Sequence, residues 1–223
     1  MKIFLDTANL ESIKKFNDIG LIDGITTNPT LLSKEGGNAE EIMAEIVRTV
    51  KGDISLEVIS TDSRGMVEEG RRLSRFGTNV VVKVPMTPEG LKAVRQLKSE
   101  EIRTNVTLIF SANQALLAAK AGTSYVSPFI GRLDDIGEIG MDLVRDIIAI
   151  FKNYSFECEV LVASVRHPLH VIDAAKLGAG AVTLPPDVLT KMMSHPLTEI
   201  GLSKFLEDWK NTKNSTPKLT VSR

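Results

Sequence analysis

The sequence predicts an α/β fold: a closed (β/α)8 barrel followed by one extra C-terminal helix. Three observations lead there. Strand-length apolar runs alternate with helical patterns eight times in 223 residues, and eight β-then-α units in succession argue a closed barrel over an open sheet. One run, Val80-Val81-Val82-Lys83-Val84-Pro85, is short, β-branched and closed by proline, as a buried parallel strand is. Polar residues stand at the ends of nearly every strand, where barrel enzymes keep their chemistry.

Taken in order, the first strand is Ile3–Asp6, and helix Leu10–Ile19 follows with Leu10, Ile13 and Phe16 on one face. Strand Gly24–Thr27 precedes helix Ala39–Val50, where Ile42, Ile46 and Val50 recur every four residues. Strand Ser55–Ile59 leads to helix Asp62–Phe76, and strand Val80–Val84 to helix Pro88–Leu97. Strand Thr104–Ile109 is followed by Ala112–Ala121, and Tyr125–Ser127 by Ile136–Phe151. Strand Val160–Ala163 with helix Leu169–Leu177, and strand Ala181–Leu184 with helix Val188–Met193, complete eight units. Gly178-Ala179-Gly180 precedes the last strand, so it reads as a helix cap and turn at the barrel bottom, not a phosphate cradle. A ninth helix, Thr198–Trp209, has no strand of its own; its apolar Ile200, Phe205 and Trp209 suit a neighbouring subunit or the barrel bottom. Residues 1–210 are expected to form one domain, and Asn211–Arg223 a polar, disordered tail.

Composition narrows the function. A net charge of −1, from 27 basic and 28 acidic residues, offers nothing for nucleic acid or a membrane surface. No apolar run is long enough for a membrane span, and the N-terminus carries no secretion signal. The single cysteine, Cys158, rules out an intrachain disulfide and fits a reducing cytoplasm. Its neighbours Glu157 and Glu159 would raise its thiol pKa, which argues against a nucleophile. His167 and His170 stand i, i+3 with no further ligand at metal spacing, so no metal site is expected. His195, before Pro196, reads as structural.

Strand side chains alternate, so Val80, Val82 and Val84 share one face and Val81 and Lys83 the other. A lysine on such a strand either snorkels to water or is an amine nucleophile that forms a Schiff base with a carbonyl. Free lysine, with a pKa of about 10.4, is only ~0.04% neutral at pH 7, and burial favours the neutral amine. The other strand ends supply Asp6; Thr26, Thr27 and Asn28; Glu57; Asn105 and Thr107; Ser127 and Phe129, then Arg132; and Ser164, then Arg166. Each has a dull alternative. Asp6 could cap the first helix, Asn28-Pro29 could be a turn, Glu57 could merely pair with Lys83, and either arginine could be a surface charge. Together they form a convergent polar set around one lysine, the pattern of a catalytic site.

Six segments also resemble the transaldolase family: Phe4–Ala8, Gly24–Thr30, Val81–Pro85, Asn105–Ser111, Val126–Arg132 and Ala163–Arg166. They fall in family order over Met1 to about Lys210. The short chain resembles the small transaldolase and fructose-6-phosphate aldolase subfamily, which has its lysine on the fourth strand. Glu57 and Phe129 resemble the transferases, where the aldolases carry Gln and Tyr. The resemblance implies a transaldolase with Lys83 as Schiff-base lysine, Asp6 as proton acceptor, and Glu57 and Thr107 holding a proton-shuttling water. It implies that Thr27, Asn28, Asn105, Ser127 and Phe129 surround the substrate, and that Arg132, Ser164 and Arg166 bind phosphate. It implies sugar phosphate substrates, no cofactor, and a homo-oligomer, a pentamer or a decamer of two pentamers.

Overall fold

The computed structural model describes residues 1–215. Eight strands, β1 (Lys2–Asp6), β2 (Gly24–Thr26), β3 (Asp53–Glu57), β4 (Val80–Pro85), β5 (Thr104–Ile109), β6 (Tyr125–Pro128), β7 (Glu159–Val162) and β8 (Ala181–Leu184), pair in parallel and in sequence. β1 also pairs with β8, which closes the barrel. The eight β/α units and the extra terminal helix are therefore as the alternation predicts.

Period-two alternation divides every strand between two environments. Val80, Val82 and Val84 face outward into the apolar layer under the helices. Val81 faces the axis, where it packs with Phe4, Tyr125, Leu161 and Ala181 as an apolar floor. Above that floor the inward positions turn polar, with Thr26, Ser55, Lys83, Asn105, Ser127 and Thr183 all buried. Below it, Arg103 holds Asp53 through two bonds of 2.9 and 2.7 Å, Tyr125 Oη donates to Asp53 at 2.7 Å, and Lys2 Nζ reaches Glu159 at 2.6 Å. This ion network seals the N-terminal end. A cavity of about 690 Å³ beside it lies at the opposite end of the strands from Lys83. Burial, with Glu159 adding, pushes the Cys158 thiol there up to about 12, so it stays protonated.

The helices are α1 (Leu10–Ile19), α2 (Pro29–Glu35), α3 (Ala39–Thr49), α4 (Ser63–Ser74), α5 (Pro88–Ser99), α6 (Ala112–Ala121), α7 (Ile130–Asp134), α8 (Gly140–Asn153), α9 (Pro168–Leu177), α10 (Pro186–Met193) and α11 (Pro196–Ser215). Four of them, α2, α7, α8 and α11, depart from the sequence reading. α2 follows Asn28-Pro29 directly, because Asn28 Oδ1 caps the Leu31 N–H at 2.9 Å and Pro29 occupies the first turn. α7 and α8 replace the expected start at Ile136, because Gly137 takes a left-handed φ of 83° and Asp134 accepts the Gly140 N–H at 2.9 Å. β3 lies two residues earlier than expected, since Glu69 takes the N–H groups of Ile59 and Ser60 and ends the strand pairing. α11 runs on through Ser215, so residues 211–215 are helical and not part of a tail. The rest of the expected tail lies outside the described residues. The cap at Gly178 and the Lys2 N–H bond to the Gly180 carbonyl place that glycine pair at the barrel bottom.

Candidate active site

The site is set by register. In the parallel ladders Glu57 stands opposite Lys83, and Lys83 opposite Asn105, so three inward side chains from β3, β4 and β5 become lateral neighbours. Lys83 is only 5% exposed. Its Nζ donates to the Thr27 carbonyl at 3.0 Å and pairs with Glu57 Oε2 at 3.1 Å. The lysine therefore does not snorkel. A buried ammonium held by one carboxylate and one carbonyl is costly to assemble, and such an arrangement marks function more than stability.

Asp6 approaches from the other side of the axis. It does not cap the first helix; Asn9 does, accepting the Ser12 N–H at 2.9 Å. Asp6 instead accepts a bond from Thr26 Oγ1 at 2.7 Å, and Thr26 Oγ1 lies 2.6 Å from Thr183 Oγ1. Burial raises the Asp6 pKa; the Thr26 bond and the Lys83 charge oppose that only in part. A carboxylate with a raised pKa is the better proton acceptor near neutrality.

Behind Lys83, Asn105 is clamped. Its Nδ2 donates to Ser55 Oγ at 3.2 Å and its Oδ1 accepts from Ser127 Oγ at 2.8 Å. Thr107 lies two residues further along the same face of β5. Its buried Oγ1 is a side-chain polar atom with no protein partner, a rare condition that calls for a polar neighbour such as water or substrate. Just beyond it Leu108 adopts φ 60° and the β5–β6 register shifts, so the strand bends at the site.

A cavity of about 210 Å³ opens at the C-terminal strand ends. Of the residues singled out in the sequence, Asp6, Thr26, Asn28, Lys83, Ser127, Phe129, Arg132, Ser164 and Arg166 line it. Glu57, Thr107, Thr27 and Asn105 stand behind this lining, and Thr27 meets the lysine through its carbonyl, since its hydroxyl turns to the Ser55 carbonyl. Asn28 has two places in the site: its Oδ1 caps α2, and the residue lines the cavity. Two arginines flank one side. Arg132 lies with its guanidinium carbon 5.1 Å from the Phe129 ring centroid, and Phe129 meets Phe110 edge-on. Arg166 Nη2 pairs with Asp135 at 2.8 Å. Ser164 between them has φ 61°, and its carbonyl takes the Gly131 N–H at 3.1 Å. Among the described residues no group of three His, Cys, Asp or Glu side chains is placed to hold a metal.

A family model described as transaldolase/fructose-6-phosphate aldolase matches residues 3–221. The chain belongs to this transaldolase/fructose-6-phosphate aldolase family. Similar proteins include one named probable transaldolase from Nitrosopumilus maritimus, 67% identical over 99% of this chain and all of that one. Others named probable transaldolase come from Methanococcus maripaludis, 59% identical over 96% of this chain and all of that one, and Aquifex aeolicus, 59% over 94% and 96%. Among solved structures, a mandelate oxidase variant matches with TM-score 0.58 at 17% identity, covering 83% of this chain and 64% of that one. Thiamine phosphate pyrophosphorylase from Pyrococcus furiosus matches with TM-score 0.55 at 16% identity, covering 82% and 85%. At those identities the two structures share the barrel fold and nothing more.

The cavity wall and its supports also include residues that the sequence did not single out, among them Ser55, Thr183, Asp134 and Asp135. Ser55 stands two residues before Glu57, and Thr183 two before Pro185, so period two alone would have pointed both inward. Asp134 and Asp135 carried no such signal, because α7 was hidden behind an expected loop.

Proposed function

We propose that the chain is a transaldolase working through a Schiff base on Lys83. The observation that carries this is the lysine itself: buried at the C-terminal mouth of the barrel, held by Glu57 and the Thr27 carbonyl, and facing a cavity that Asp6 shares. The donor is a ketose phosphate, sedoheptulose 7-phosphate or fructose 6-phosphate. The neutral amine adds to the ketone carbon to give a carbinolamine, and loss of water gives the iminium. Glu57 and the otherwise unbonded Thr107 hydroxyl hold the water that carries protons in that step. Asp6 takes the proton from the hydroxyl one carbon beyond the bond to be cleaved, and the iminium accepts the bonding electrons. An aldose phosphate leaves. The dihydroxyacetone unit stays on Lys83 as an enamine and then adds to glyceraldehyde 3-phosphate or erythrose 4-phosphate.

Asn28 Nδ2 and Ser127 bind substrate hydroxyls. Asn105, locked by Ser55 and Ser127, orients Lys83 and Ser127. Arg132, Arg166 and Ser164 bind the phosphate, for which Arg166 is to be shared with Asp135. Glu57 and Phe129 favour transfer over release of free dihydroxyacetone, as do the relatives named probable transaldolase. The reaction places the enzyme in the non-oxidative pentose phosphate pathway of the cytoplasm. Leu197, Ile200, Phe205 and Leu206 on α11 are exposed apolar side chains, which supports a homo-oligomer with α11 at its interface. The test is an assay of fructose 6-phosphate with erythrose 4-phosphate against fructose 6-phosphate alone. Sedoheptulose 7-phosphate formed only with acceptor supports a transaldolase. Dihydroxyacetone released equally in both arms would make it an aldolase instead.

A further inference from the structure

One buried hydroxyl at the site has no part in the scheme above. Thr183, on β8, lies on the cavity wall within 2.6 Å of Thr26 on β2, and among the described residues the one further side-chain bond of the pair is that from Thr26 to Asp6. β1, carrying Asp6, runs between β8 and β2 in the sheet. The two threonines therefore reach toward each other across the strand that holds the carboxylate.

Counting hydrogens fixes the direction of the chain. An ionised Asp6 can only accept, so the Thr26 hydrogen is committed to it. Thr26 Oγ1 then has lone pairs alone to offer Thr183, and Thr183 must be the donor. The order is Thr183 to Thr26 to Asp6. Two hydroxyl hydrogens fill two links, and the run ends on a negative charge. A hydroxyl that accepts a hydrogen bond donates a stronger one, so Thr183 strengthens the contact that favours the charged carboxylate. A protonated Asp6 could still accept through Oδ1, but a neutral carboxyl oxygen is a weaker acceptor than a carboxylate, so the chain favours the ionised form.

We propose that Thr183 is a positioning residue for Asp6, acting through Thr26 to aim its hydrogen at the carboxylate and hold Asp6 ionised against its burial. This rests on the reading of Asp6 as the proton acceptor. The charged groups that face Asp6 are Lys83 on β4, with Glu57 behind it on β3, and Arg132 and Arg166 across the cavity. None of these lies in the threonine chain, so the threonines can be altered while the charges stay.

The test is direct titration of the Asp6 carboxyl by carbon NMR on aspartate-labelled protein, assigned with Asp6→Asn. It is run beside the pH profile of kcat/KM for fructose 6-phosphate. Thr183→Val keeps the β-branched shape and removes the hydroxyl. Its Asp6 midpoint is expected to rise by about half to one pH unit, roughly three- to tenfold less ionised carboxylate below the midpoint. The acid limb of kcat/KM moves by the same amount, while KM on the plateau stays within about twofold. Thr183→Ser restores both midpoint and limb, and Thr26→Val, which removes the direct donor, shifts the midpoint further than Thr183→Val does. An Asp6 midpoint unchanged in Thr183→Val overturns the proposal, as does a shift that Thr183→Ser fails to reverse. The titration needs no turnover, so it still decides on Thr183 if the pH profile shows that Asp6 is not the proton acceptor. Should Thr183→Val fail to fold, Thr183→Ser against Thr26→Val decides: equal midpoints in those two also overturn it.

Discussion

A single methyl group at Gly131 is expected to separate phosphate binding from catalysis. Gly131 is buried in α7, and its N–H is bonded to the Ser164 carbonyl. A Cβ built there would stand 2.2 Å from that oxygen, 2.6 Å from Arg166 Nε and 2.8 Å from Arg166 Cγ. Ordinary carbon–oxygen contacts begin near ~3.3 Å, so the Ser164–Arg166 segment must retreat by about 1 Å. Two effects of opposite sign meet in Gly131→Ala. Alanine is the better helix former by about 1 kcal/mol, but overpacking against backbone costs about 1–3 kcal/mol, and α7 is too short to draw much on propensity. The clash wins, and the melting temperature is expected to fall by roughly 2–4 °C per kcal/mol. A displacement of about 1 Å in a substrate-positioning group can cost about a hundredfold. Here the loss is expected in KM for fructose 6-phosphate, with fructose, the same ketose without its phosphate, little affected as donor. Steady-state kinetics on both donors measure it. An unchanged KM for fructose 6-phosphate, or an equal loss on both, would refute the placement of Ser164 and Arg166 at the phosphate.

Three further outcomes are expected. Arg132→Ala and Arg166→Ala each remove a charge-assisted contact of about 1.5–3 kcal/mol, raising KM for phosphorylated donors about ten- to a hundredfold; equal effects on unphosphorylated fructose would take them out of the phosphate site. Phe129→Tyr places a hydroxyl beside the enamine, able to donate a proton or hold water, and is expected to raise the ratio of dihydroxyacetone release to transfer, where each 1.36 kcal/mol gives about tenfold. An unchanged ratio would leave the assignment to transferases resting on Glu57 alone. His170, buried, has its pKa lowered chiefly by burial; its Nδ1 accepts the Arg166 N–H at 3.3 Å and its Nε2 stands 3.0 Å from Asp134. The unfolded chain thus takes up the proton first as pH falls through about 6.5, so stability is expected to drop on the acid side of that value. Thermal melts of the parent and His170→Gln from pH 7.5 to 5 measure this, and identical slopes would contradict it.

The fold was legible because the alternation of apolar runs is itself the barrel. The two faces of Val80–Val84 could be assigned from period two alone, and the structure places them as read. What escaped was local and polar. The short helix after Asn28-Pro29 went unread because its capping bond to Leu31 is invisible until the chain bends back. The expected helix began at Ile136, yet Ile136 and Ile139 are both exposed around the turn that Gly137 makes. Lys83 was conspicuous as a charge among valines. Thr26 was marked only as one of several polar residues ending its strand, and Thr183 not at all, because a threonine in a strand is ordinary; only the closure of β1 against both β2 and β8 shows what the pair surrounds. The singled-out positions gather at one end of the barrel, but sequence could not say which would stand at the cavity wall and which behind it.

The central claim is that Lys83 forms the covalent bond to the donor. Borohydride added during turnover with fructose 6-phosphate, followed by peptide mass spectrometry, tests it most directly. Reduction of the iminium is expected to leave one dihydroxyacetone-derived adduct per chain, on Lys83, and none in Lys83→Met, where a side chain of similar volume keeps the barrel folded but offers no amine. An active enzyme whose lysine stays unmodified, or a folded Lys83→Met protein that still turns over, would contradict the account.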